Sequence, residues 1–101
     1  MNDDFDDRLD ALTQRFRDRA AAQCAALEGL VSDLEGGAPR AQLGAEIGLI
    51  AHSLAGAGAT FGFAGISARA AELDEFASDV PDSPELADAC RALISEIRRS
   101  L

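Results

Sequence analysis

Tryptophan and tyrosine are absent from this 101-residue chain, and five phenylalanines are its only aromatic residues. The hydrophobic share of 48% is made mostly of alanine and leucine, a composition that favours helices. Positive charge is scarce: 9 Lys and Arg stand against 18 Asp and Glu, for a net charge of −9. Such a surface repels a phosphate backbone and argues against nucleic acid as a partner. Cys24 and Cys90, the only cysteines, lack CxxC spacing and lie in helical patterns beside small apolar residues. They read as buried free thiols rather than as a disulfide. No run approaches the ~18 apolar residues of a membrane span. Met1-Asn2-Asp3-Asp4 offers neither a basic region nor an apolar stretch, so a cytoplasmic protein without a membrane partner is expected. The single histidine, His52, cannot furnish the paired Glu-x-x-His ligands of a bundle metal site, and no bound metal or cofactor is expected.

Helical periodicity is what the sequence does have. Phe5, Leu9, Leu12, Phe16, Ala20, Gln23, Leu27, Leu30 and Leu34 recur at steps of three and four, one face of a long helix over 3–35. Asp3, Asp4, Asp6 and Asp7 suit the positive end of its dipole, and Gly36-Gly37 supplies a terminator. Pro39 fits the first turn of a second helix, 39–60, whose stripe is Leu43, Ile47, Ile50, Leu54, Ala57 and Phe61, with Gly62 ending it. A third, 64–78, carries Ile66, Ala70, Leu73 and Ala77, with Phe76 alongside, and breaks at Asp79-Val80-Pro81. Ser83 before Pro84 caps a fourth, 84–100, lined by Leu86, Cys90, Leu93, Ile97 and Leu101. Short connections make consecutive helices antiparallel. The expectation is therefore all-α: one domain over 1–101, folded as an up-down-up-down four-helix bundle.

Projected at ~100° per residue, the core stripe of the second helix lies opposite His52. Its own face is built from Ala45, Gly48, Ala55, Gly56 and Ala59, so the imidazole stands above a strip nearly free of side chains. With Leu49 beside it, this strip is a face that another protein can approach closely. Each glycine inside a helix costs ~1 kcal/mol relative to alanine, so something else must favour Gly44, Gly48, Gly56 and Gly58. Packing against a neighbouring helix accounts for Gly44 and Gly58, and access to His52 for Gly48 and Gly56. Phosphoryl transfer to an imidazole nitrogen needs such an unobstructed line.

The run Ala51-His52-Ser53-Leu54-Ala55-Gly56 through Gly62-Phe63, then Ile66-Ser67 and Leu73-Asp74, resembles the motif of histidine-containing phosphotransfer (HPt) domains. His52, Leu54, Gly56, Gly62, Ile66 and Leu73-Asp74 match in order and spacing, over about a quarter of the chain. The resemblance implies a stoichiometric phosphoryl carrier, not an enzyme, that shuttles the group through His52 between receiver-domain aspartates. The partners it implies are response-regulator receivers and a hybrid histidine kinase, with the metal on the receiver and the carrier a monomer. Nothing resembles a glycine-rich nucleotide site, so ATP is not expected. One departure stands out: the family commonly has lysine three residues after the histidine, where this chain has Ala55. Folding the helices back at Gly36-Gly37 and Gly62 sets Arg19, Gln23 and Arg69 level with His52 as substitutes that support the phosphoryl group. For Gln23, the one polar residue in its row, a half-solvated edge position is the other reading. A helical adaptor of the same fold that binds receivers or kinases without carrying phosphate is the rival to the whole account.

Overall fold

A computed structural model describes residues 3–101; Met1 and Asn2, which belong to the N-terminal stretch read above, lie outside the described residues. Its four helices are α1 (Asp3–Glu35), α2 (Arg40–Thr60), α3 (Ala64–Asp79) and α4 (Glu85–Ser100), with no strand among the described residues. The ends agree with the periodicity to within a residue. Pro39 differs: it precedes the first turn of α2 with ψ at 117°, and its carbonyl accepts from the Leu43 amide at 3.2 Å.

Two glycines with positive φ close the first two helices. Gly37 (φ 86°) lets Ala38 N–H reach the Asp33 carbonyl at 3.1 Å and Gly37 N–H reach Leu34 at 3.2 Å. Gly62 (φ 82°) does the same for Phe63 to Gly58, 2.8 Å, and Gly62 to Ala59, 3.4 Å. These crossed bonds satisfy carbonyls that a helix end otherwise leaves orphaned. At the start of α4, Ser83 Oγ accepts from the Glu85 amide at 3.2 Å, the capping role its sequence position indicates.

All four helices contribute to one core, from Phe16 through Leu34 in α1 to Leu86 through Ile97 in α4. Leu27, Ile47, Leu54, Ile66, Leu73, Leu86 and Leu93 are fully buried, each contributing about 1.5–3 kcal/mol relative to exposure. The apolar row of α1, however, is buried only from Phe16 onward. Phe5, Leu9 and Leu12 are 66%, 45% and 46% exposed. The cause is length: 33 residues of helix reach about 50 Å, against 16–21 residues in the other three helices. The first third of α1 overhangs a body 21 Å across, and the molecule is 54 Å long.

The seam between α2 and α3 is made of small residues. A Cβ placed on Gly44 would lie 3.0 Å from Pro81 Cβ, and one on Gly58 only 3.2 Å from the Ser67 amide nitrogen. Ser67 Oγ crosses the same seam to donate to the Ala55 carbonyl at 2.7 Å. Along α2 from Gly44 to Gly58 the partners thus run backward along the chain, from Pro81 to Ser67. Between α1 and α4, Arg91 pairs with Glu35 at 2.8 Å and Arg98 with Glu28. Cys24 and Cys90 are buried and free.

Candidate functional site

His52 sits two-thirds of the way along α2, its side chain 84% exposed. One polar contact holds it: Nδ1 lies 3.4 Å from Oδ2 of Asp74 in α3, a long hydrogen bond when that nitrogen carries the proton. The Asp74 side chain is 32% exposed, settled beside the seam where Gly48 leaves room. A Cβ on Gly48 would lie 3.6 Å from Ala77 Cβ and 4.0 Å from Asp74 Oδ1. Gly48 therefore opens space toward α3 as well as toward solvent. With Nδ1 engaged, Nε2 is the nitrogen left to face outward, because the two ring nitrogens point to opposite edges.

The strip expected around the imidazole is present. Ala45, Gly56 and Ala59 are exposed, Gly48 and Ala55 half-buried, and beyond the adjoining residues and backbone of its own helix nothing lies within 4 Å of where a Gly56 Cβ would be. Leu49 is the one large apolar side chain on the strip, 75% exposed. Gly44 and Gly58 are buried against α3, as close packing requires.

The three candidate substitutes for the missing lysine have other neighbours in the unphosphorylated chain. Arg69 pairs with Glu72 on its own helix at 3.2 Å. Arg19 lines a cavity at the end of α2 with Leu12, Arg15, Phe16 and Phe61. Gln23 is half-buried, its Oε1 enclosed without a hydrogen-bond partner. None of the three is hydrogen-bonded to His52 among the described residues. The ring's polar partner is Asp74, which reading the motif alone missed. The signal was in the fold-back: the turn occupies Phe61–Phe63, and the register that sets Gly48 against Ala77 and Gly58 against Ser67 brings His52 opposite Leu73, beside Asp74. All nine cationic side chains of this chain are arginines, so the departure at Ala55 belongs to a chain without lysine.

A family model described as the Hpt domain matches residues 7–100, nearly the whole chain. The chain belongs to the Hpt family. Neither the curated proteins nor the solved structures yield a match. Hpt domains are phosphocarrier modules of two-component phosphorelays, where they interact with receiver domains and kinases. This Hpt domain is all-helical, and among its described residues no helix is long and apolar enough to cross a membrane. No three His, Cys, Asp or Glu side chains among those residues come together as a metal site.

Proposed function

We propose that this chain is a single up-down-up-down phosphotransfer domain whose His52 takes a phosphoryl group from one receiver aspartate and yields it to another. One observation carries the reading: an exposed imidazole whose Nδ1 faces a carboxylate and whose Nε2 faces open space. Opposed pairing along α2 and α3 supports the antiparallel topology.

Asp74 fixes the tautomer. By accepting a hydrogen bond from Nδ1–H it keeps the lone pair on Nε2, directed away from the helix. That lone pair attacks phosphorus in line with the aspartyl oxygen of a docked receiver; the N–P bond forms as the P–O bond breaks, and the receiver carboxylate leaves with the electron pair. Positive charge gained by the ring is offset by the Asp74 carboxylate, and the Nδ1 proton stays between them. Reversing these steps delivers the group to the next receiver. Arg19, Gln23 and Arg69 belong to this proposal as supporting residues only if docking moves their side chains to the ring. The receiver supplies the metal and most of the charge stabilisation.

Docking uses the small-residue strip, with Leu49 as its apolar anchor. Incubation with phosphorylated receiver domains tests the reading: label transfers to the chain, is lost in acid, survives mild base, and is absent from His52→Gln. Equal labelling of that variant removes His52 as the acceptor. A chain that binds receivers tightly and takes no label is the adaptor instead. Gly56→Trp keeps its helicity and loses transfer if the strip is the docking face; normal transfer places docking elsewhere.

A further inference from the structure

The overhanging third of α1 carries two complementary features. Near its tip, Phe5 stands 66% exposed, with Asp4, Asp6 and Asp7 around it. Where the overhang joins the body, Leu12, Arg15, Phe16, Arg19 and Phe61 line a cavity of about 230 Å³. The tip is an aromatic knob in an acidic setting, and the cavity is an apolar socket edged by two arginines. Neither those arginines nor those aspartates form an ion pair among the described residues.

We propose that two copies of this chain pair through their overhangs, antiparallel about a two-fold axis, each placing Phe5 in the other's cavity. Knob and socket lie on one helix, with Phe5 and Phe16 about 16 Å apart at 1.5 Å per residue. A two-fold axis across the helix midway between them satisfies both contacts at once, as a self-complementary interface requires. The same register sets Leu9 opposite Leu12 of the other copy. Phe5, Leu9, Leu12 and Phe16 are spaced four, three and four, the seam of a two-helix coil, and Phe16 is already committed to Phe61 and Phe63. The partner's Phe5 completes that aromatic group.

Charge selects this occupant. Antiparallel overlap lays the acidic tip of one copy along the arginine-edged socket of the other, whereas parallel overlap would lay tip on tip. The sequence alone led to a monomer. This pairing stands apart from the phosphotransfer reading: it involves neither His52 nor Asp74, shares with it only the candidate Arg19, and is tested by oligomeric state rather than by transfer.

Sedimentation of the full chain tests the proposal. The expected mass is twice that of the chain, falling to a single chain on dilution or in Phe5→Glu, with helicity unchanged by circular dichroism. Raising salt from ~0.1 M to ~1 M shortens the screening length from ~10 Å to ~3 Å and weakens the dimer. The decisive arm uses two variants, each expected to be monomeric alone: D4K/D6K, with a basic tip, and R15E/R19E, with an acidic socket. Mixed, they form a heterodimer, because both contacts are then between opposite charges. A chain that is monomeric at every concentration overturns the proposal, as does a dimer indifferent to Phe5→Glu. Variants that fail to pair on mixing, with helicity intact, overturn the antiparallel register. A monomeric chain whose Phe5 instead binds a receiver domain assigns the face to that partner and overturns it equally.

Discussion

The seam between α2 and α3 and the first third of α1 are both amphipathic helix, yet one is packed to backbone contact and the other stands in solvent. At the seam, Gly44 and Gly58 let the facing chain come within reach of a methyl group, and Ser67 crosses to the Ala55 carbonyl. On the overhang, the same three-and-four spacing leaves Phe5 two-thirds exposed. Periodicity identifies which face of a helix is apolar. Whether that face is covered depends on how far the partners extend, and α2 and α4 end level with the middle of α1. The tight seam also serves the site, because a carboxylate on α3 reaches an imidazole on α2 only where the helices lie close.

One substitution made in both places gives the widest contrast. Leu73→Ala, in a fully buried position of α3, should cost about 2–5 kcal/mol in chemical denaturation. Leu9→Ala on the overhang should cost within about 0.5 kcal/mol when measured at dilutions where only single chains exist. Comparable losses would mean that the overhang is part of the folded body.

Glycines on the two sides of α2 sharpen the same comparison at smaller amplitude. Gly58→Leu forces a side chain against the Ser67 backbone, and about 1–3 kcal/mol of destabilisation is expected. Gly56→Ala enters open space and should stabilise by up to ~1 kcal/mol through helix propensity. Thermal melts of the pair should therefore move in opposite directions; a stabilised Gly58→Leu would show that the seam is slack.

The smallest effect near neutral pH belongs to the thiols. Burial pushes Cys90 up from 9.0 to about 11, and burial followed by the nearby Glu28 carboxylate raises Cys24. The fold favours the protonated thiol, so this contribution is intact below pH 9 and is lost as pH rises through about 11. Iodoacetamide at neutral pH should leave both cysteines unmodified until the chain unfolds. Rapid native labelling of Cys90 would contradict its burial.

Much of this was legible beforehand because helix ends and core stripes are local. Gly37, Gly62 and Ser83 each announce a boundary through their own chemistry, and Leu73 or Ile66 through spacing. Contacts between helices were harder to read. Arg69 and Gln23 were set level with His52 by counting back from a turn, but a side chain's direction depends on where on the helix circumference it projects. Asp74 projects toward the seam and meets the ring, while Arg69 projects outward and meets Glu72. The exposure of Phe5, Leu9 and Leu12 was hidden for the related reason that no single helix records the length of its neighbours.

The account turns on which nitrogen of His52 carries the phosphoryl group. Nitrogen-15 labelling of the imidazole, with NMR of the chain after transfer from a phosphorylated receiver, reads this directly through phosphorus–nitrogen coupling. The expected result is coupling to Nε2, with Nδ1 still protonated and facing Asp74, and phosphorylation slowed by roughly ten-fold in Asp74→Asn, about 1.4 kcal/mol of barrier. Coupling to Nδ1, or a receiver that exchanges no phosphoryl group with His52 while docking normally, would contradict it.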